Sequence, residues 1–172
     1  AMLREESTYS IPQDVQTALY YGLFTDTNSL AEIGHPSDKD MLESLAPDLS
    51  LINRMKNANI TLADMETAGL ALLRTSHNAV FNYSVTAVKP CDPNILGFVS
   101  DLAIQVDAVS SCVVFNIINQ GIKFSVRSCV QDVMANEMAA FIAADVGSGG
   151  GHVSKAGGFI AESALRLQEP TL

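Results

Sequence analysis

The 172-residue chain is 48% hydrophobic and 17% charged, enough apolar sequence to bury a core and too much for global disorder. Its net charge of −9 repels polyanions at long range, which excludes a broad face for duplex DNA and leaves room for a small phosphate site. No apolar run is long enough to span a bilayer and Ala1-Met2-Leu3-Arg4-Glu5-Glu6 does not read as a signal peptide, so no membrane partner and a cytoplasmic location are expected.

The first organised stretch runs from Val15 to Asn28. Ala18, Leu19, Leu23 and Phe24 suit a buried helix, with Pro12 near its start and Asp14 favouring its first turn. It ends in Thr25-Asp26-Thr27, where a carboxylate between two hydroxyls reads either as a metal ligand or as an ordinary capping aspartate. After Gly34-His35-Pro36, Ser37 stands three residues before Asp40 as a helix start, with Met41, Leu42 and Leu45 as the apolar side. Beyond Pro47, Leu49, Leu51, Ile52 and Met55 predict another short helix ending near Asn57-Ala58-Asn59. Thr61 opens a third run whose face is Leu62, Met65, Gly69, Leu70 and Leu73.

Near His77 the character changes. Val80 to Val88 alternates as a strand does, and Lys89-Pro90-Cys91-Asp92-Pro93 breaks it. Ile95, Leu96, Val99, Leu102, Ala103 and Val106 recur at helical spacing. Cys112 to Ile118 is β-branched, Asn119-Gln120-Gly121 signals a turn, and Ile122 to Val126 predicts the partner strand of a hairpin. Val133, Met134, Met138, Phe141 and Ile142 predict a last helix, leading into Gly147-Ser148-Gly149-Gly150-Gly151-His152 and on to Gly157-Gly158. Successive exposed N–H groups in such a loop can cradle an anion, and on glycine content alone a flexible linker is an equal alternative. The fold class is therefore α/β, helix-rich at first and then a small α/β domain with a mixed sheet, divided into residues 1–76 and 77–172. Cys91, Cys112 and Cys129 show no Cys-x-x-Cys spacing and read as reduced, buried thiols.

Three stretches, in this order, carry a resemblance. Leu19-Tyr20-Tyr21-Gly22-Leu23-Phe24-Thr25-Asp26-Thr27 resembles the third conserved motif of the DHH phosphoesterase superfamily, where a helix delivers an aspartate to a two-metal site. Gly149-Gly150-Gly151-His152 looks like the hallmark loop of the associated DHHA1 domain. Phe124-Ser125-Val126-Arg127-Ser128 is similar to the strand before that loop, whose arginine faces the substrate cleft. The resemblance implies the end of a DHH domain followed by a DHHA1-type substrate-binding domain. By the same token Asp26 is the metal ligand, for Mn²⁺ or Mg²⁺ in the complete enzyme, and Gly149, Gly150, Gly151 and His152 contact phosphate. Arg127 binds substrate through its planar fork, and Ser128 assists by hydrogen bonding.

The departure from the family matters as much. No Asp-His-His triplet is present, and His35, His77 and His152 are isolated from one another. One aspartate cannot hold two metals, so the chain is expected to be the C-terminal part of a larger phosphoesterase, unable to catalyse alone. The implied partner is a short phosphorylated nucleotide or oligonucleotide, a nucleoside bisphosphate or a cyclic dinucleotide, with a second copy of the chain as a further partner. The alternatives are a non-catalytic nucleotide-binding or oligomerisation module and a phosphoanhydride (polyphosphate) hydrolase relative. Lys155 stands near enough to the glycine run to add charge, and a solvated lysine is an equal reading.

Overall fold

A computed structural model describes residues 10–27, 29–31, 33–57 and 60–166. The expectations for Ala1–Glu6, for a helix end at Asn28 and for Ala58-Asn59 lie outside the described residues. The chain divides into two compact units, Ala1–Ile60 and Thr61–Leu172.

The first unit is helical: α1 (Gln13–Asp26), α2 (Pro36–Ser44) and α3 (Leu49–Lys56). Pro12 precedes α1 and Asp14 lies in its first turn, where a carboxylate offsets the helix dipole. Two side chains of α1 hold the segment leading into α3. The Gln16 Oε1 accepts from the Ala46 N–H at 2.9 Å, and the buried Thr17 Oγ1 accepts from the Asp48 N–H at 2.9 Å. Asp48 in turn caps α3 by accepting from Ser50 and Leu51, while Arg54 and Lys56 occupy its last turn. The Lys56 ammonium lies 4.7 Å from the centre of the Phe24 ring, and Leu23 and Ile52 are buried. Helix α2 starts earlier than Ser37: Pro36 takes its first position and His35 is the cap, its Nδ1 accepting from Ser37 N–H at 3.1 Å.

The second unit is built on a six-stranded mixed sheet in the order β1-β2-β3-β4-β6-β5. Helix α4 (Leu62–Leu72) opens with a reciprocal capping box between Thr61 and Asp64. Next come β1 (Ser76–Asn78), β2 (Tyr83–Val88), α5 (Pro93–Ala103), β3 (Ser111–Ile118), β4 (Gly121–Ser128) and α6 (Ala135–Ala143). The described part ends with β5 (Gly147–Gly151), β6 (Lys155–Ala161) and the one-turn α7 (Glu162–Arg166). Strands β2 and β3 are parallel, joined by α5, and the other neighbours are antiparallel. Asp92 caps α5 and Pro93 takes its first position, as a Pro at that place favours. Gly121 turns the β3–β4 hairpin at φ +145°, a conformation that glycine alone enters without strain.

Two apolar layers flank the sheet. On one face Ile95, Leu96 and Val99 of α5 pack with Ala68 and Ala71 of α4 against Val88 and Val114. On the other, Ala135, Ala139 and Ala143 of α6 lie on Phe124 and Val126. The sheet domain thus includes α4, so the compact units divide one helix earlier than the change in sequence character at residues 76–77.

Four local expectations are corrected. The glycine-rich stretch is not a loop: Gly147–Gly151 is an edge strand paired to Lys155–Ala161. The strand expected from Val80 begins at Tyr83, because the Asn78 side chain accepts from both Val80 and Phe81 N–H groups and bends the chain into a turn. The face of α4 expected to be buried is turned outward, with Leu62 84% and Leu73 86% exposed, since its small Ala68 and Ala71 allow closer approach to α5. Phe141, expected on the buried side of its helix, is 83% exposed for the same reason: alanines face the sheet.

Candidate functional site

The edge of the sheet at β4, β6 and β5 has two unlike faces. Residues opposite one another in paired strands project to the same side, so the register assigns them. Gly149 is opposite Gly158, which is opposite Phe124, and this row faces α6. A Cβ on Gly149 would be driven into the Ala139 carbonyl, and one on Gly158 into the Phe124 ring. These two glycines let helix α6 and the sheet close up. Gly150 is opposite Gly157, which is opposite Ser125, and this row faces away from α6. A Cβ on Gly150 would meet no atom within 4 Å, so the backbone there forms an open floor.

Arg127 and Lys155 are a directly opposed pair on that same open face, one row along from Ser125 and Gly157. The guanidinium of Arg127 is fixed at three points. Its Nε donates to the Asp101 Oδ1 at 2.6 Å, and its Nη1 donates to the Ser125 Oγ at 2.9 Å and the Val126 carbonyl at 3.1 Å. The Nη2 group has no partner among the described residues; a Cβ built on Gly97 would lie 3.5 Å from it, and the Arg127 side chain as a whole is 13% exposed. Lys123 shares this face, and neither it nor Lys155 has a hydrogen-bond or ion-pair partner among the described residues. Arg127, Lys155 and Lys123 thus lie along one face, the first paired with the Asp101 carboxylate. The arrangement can bind and orient an anion through one fixed guanidinium, two amines and a hydroxyl.

The glycine strand adds backbone donors. His152 N–H donates to the Lys155 carbonyl at 2.7 Å, which sets the phase of the β5–β6 ladder. In that phase Gly150 pairs inward with Gly157, whereas the N–H and C=O groups of Gly149 and Gly151 point out from the sheet edge. Gly151 at φ +147° enters the connection to β6, and the His152 side chain is exposed on that connection. Ser128, by contrast, lies on the α6 side. It is buried, and its hydroxyl hydrogen-bonds the Ser110 and Val130 carbonyls at 3.4 and 3.1 Å and accepts from the Val130 N–H.

Asp26 is the last residue of α1, in the other unit, and its carboxylate is exposed. The flanking hydroxyls are turned back into the helix: Thr27 Oγ1 donates to the Leu23 carbonyl at 2.7 Å and Thr25 Oγ1 to that of Gly22 at 3.0 Å. No group of three or more His, Cys, Asp and Glu able to hold a metal exists among the described residues. A lone carboxylate does not fit a dinuclear metal centre, so Asp26 supplies at most one ligand of such a site.

Three residues of the site escaped sequence reasoning: Ser125, Asp101 and Gly97. Gly97 and Asp101 are four apart in α5, hence on one side of the helix, and that spacing of a glycine and a carboxylate was the available signal. Which strand they would meet was not. The thiols differ in setting: Cys112, opposite Arg127, is buried and its pKa is pushed up to about 11 by that burial, with the Arg127 charge acting against the shift. Cys91 is half-buried and shifted in the same direction, whereas Cys129 is exposed rather than buried as expected.

No protein-family model and no curated protein sequence matches the chain. Its fold matches that of an exopolyphosphatase-related protein from Bacteroides fragilis, with a TM-score of 0.68 at 18% identity over 91% of this chain and 49% of that one. The chain therefore spans about half the length of that protein. Weaker likenesses extend to RecJ of Thermus thermophilus in complex with Mn²⁺ (TM-score 0.45, 19% identity, 95% of this chain and 24% of that one). Another is the C-Ala domain of Aquifex aeolicus alanyl-tRNA synthetase (TM-score 0.42, 20% identity, 49% and 86%). The architecture is the expected α/β class with a mixed sheet, and the fold is shared with the Bacteroides fragilis protein. No described helix is long and apolar enough to cross a membrane.

Proposed function

We propose that the open face of β4, β6 and β5 holds the phosphate of a short nucleotide or oligonucleotide, as the substrate-binding portion of a larger, cytoplasmic phosphoesterase. The observation that carries this reading is the Arg127 guanidinium, fixed at Nε and Nη1 with Nη2 left over, directly opposite Lys155 and on the face that is open at Gly150. A phosphate oxygen at Nη2 gains a charge-assisted hydrogen bond from a donor already immobilised, so little ordering entropy is lost on binding. Gly149 and Gly151 contribute outward N–H groups at the sheet edge, and His152 closes over the ligand from its exposed turn. Ser128 acts indirectly, by holding the segment that follows Arg127. Chemistry would belong to a metal centre in which Asp26 is one ligand among others, with Mn²⁺ or Mg²⁺ as the metal.

A phosphoanhydride such as polyphosphate is the second reading, favoured by the fold likeness to an exopolyphosphatase-related protein and by the three cations along one face. Titration calorimetry on the chain separates the two. A 5′-phosphorylated dinucleotide binding more tightly than both its dephosphorylated form and tripolyphosphate supports the first, and the reverse order of nucleotide and tripolyphosphate supports the second. If neither ligand binds, or if Arg127→Ala binds both as well as the unaltered chain does, the anion site is refuted.

A further inference from the structure

We propose that the outward face of α4 binds a second copy of this chain, α4 against α4, in an antiparallel pair related by a two-fold axis. The larger apolar residues of this helix are turned away from its own sheet. Leu62 is 84%, Met65 59%, Leu70 40% and, at the C-cap, Leu73 86% exposed, while Ala68 and Ala71 are buried. Single apolar side chains on a surface are ordinary, but four on the outer side of one short helix form a patch. The patch is separate from the Arg127 face and independent of the anion-binding reading. Helix α4 packs at β2, and β3 lies between β2 and the β4 strand that carries Arg127.

Three observations select a second copy as the occupant. The first is symmetry: Leu62 and Leu73, Met65 and Leu70, and Glu66 and Gly69 share one midpoint, between Thr67 and Ala68. A two-fold axis at that midpoint lays Leu62 level with Leu73 of the second copy at each end of the contact. Met65 and Leu70 then flank the seam between, so the one surface complements itself as an isologous interface must. The second is Gly69, exposed inside the helix, where glycine costs stability. A Cβ built on it would meet nothing within 4 Å, so no contact among the described residues calls for a glycine there. In the pair it lies level with Glu66 of the second copy and makes room for that side chain.

The third is charge. Glu66 and Arg74 are exposed, and neither has a hydrogen-bond or ion-pair partner among the described residues. Both line a hollow of about 250 Å³ between α4 and β2, which places them on one flank of the helix. Like flanks meet in an antiparallel two-fold pair, where Glu66 and Arg74 of the second copy stand about one and a half turns apart. Helical side chains lean toward their own N-terminus, so these two lean toward each other, and the symmetry makes the ion pair twice.

Sedimentation equilibrium on the full chain tests this, at about 0.15 M salt to screen the repulsion between copies of net charge −9. One helix on another falls among interfaces below about 1,200 Å², so a monomer–dimer equilibrium with Kd of about 10–100 µM is expected. Leu73→Glu, at an exposed position, is expected to weaken association at least about tenfold with an unchanged circular dichroism spectrum. Glu66→Arg and Arg74→Glu are each expected to weaken it about tenfold, and both exchanges in one chain to restore it to within about threefold. A chain that stays monomeric over a concentration series bracketing that Kd overturns the proposal and leaves the face to another occupant. A dimer that Leu73→Glu leaves intact overturns it as well, because the copies then meet elsewhere. A dimer lost in Leu73→Glu but not restored by the charge exchange overturns the antiparallel arrangement.

Discussion

Arg127 on β4 and Asp101 on α5 are joined by a 2.6 Å ion pair that fixes the one guanidinium facing the open glycine floor. Asp101 is 48% exposed and the Arg127 side chain 13%, so the pair compensates a largely buried guanidinium and chooses which of its nitrogens remain for a ligand. Asp101→Asn keeps an acceptor and removes a charge that opposes anions, and is expected to bind tripolyphosphate within about threefold of the unaltered chain. Asp101→Ala leaves a largely buried guanidinium without its carboxylate and is expected to weaken binding about tenfold and to lower the Tm. Calorimetry and thermal melts on the two variants check this.

The glycines of β5 are expected to separate into structural and ligand-facing positions. Gly149→Ala drives a methyl into the Ala139 carbonyl and is expected to cost about 2 kcal/mol or more in denaturant unfolding. Gly150→Ala meets nothing within 4 Å and is expected to leave stability within about 0.5 kcal/mol. Its methyl instead lifts any ligand off the floor, so the expected loss is in phosphate affinity. A Gly150→Ala chain that binds normally would show that the floor is not used.

The buried thiol of Cys112 sets an alkaline limit. Its pKa is raised from 9.0 to about 11 by burial, so the unfolded chain loses this proton first as pH rises. The stability it contributes is fully present below pH 9 and is lost as pH climbs toward 11. Urea melts at pH 8 and pH 10 are expected to show a steeper decline for the unaltered chain than for Cys112→Ala, the latter being less stable at both values from the missing sulfur.

At acid pH the capping box of α4 responds in the opposite sense. Hydrogen bonds from the Thr61 backbone and side chain hold the Asp64 carboxyl below its ordinary value of 3.8. Its contribution is present above that value and is lost as pH falls through the lowered one. NMR titration is expected to place Asp64 below that ordinary value. Thr61→Ala removes the cap, with an expected cost of about 1 kcal/mol at neutral pH.

Much of the fold was legible locally. Caps and breakers act within a few residues, so Pro12 and Thr61 marked helix starts, and Pro47 and Lys89–Pro93 marked breaks, that the structure contains. The β3–β4 hairpin followed from its turn and its β-branched flanks. Three of the errors come from small residues. Glycine carries no side-chain pattern, so Gly147–Gly151 gave no alternation to read as a strand. In α4 and α6 the alanines, not the larger residues, face their neighbours, because the smaller side chain permits closer packing, and periodicity of large apolar residues pointed to the wrong side.

By itself the sequence determined which chemistry was available: one arginine in a β-branched strand, a glycine run, and an aspartate at a helix end without histidines beside it. Tertiary structure decided how those parts face one another. Register alone puts Arg127 opposite Lys155 and Gly150 beside Gly157, turns Ser128 to the other side, and brings Asp101 from a distant helix to hold the guanidinium. The physical reason is the two-residue period of a strand, by which one step along the chain exchanges one face of the sheet for the other.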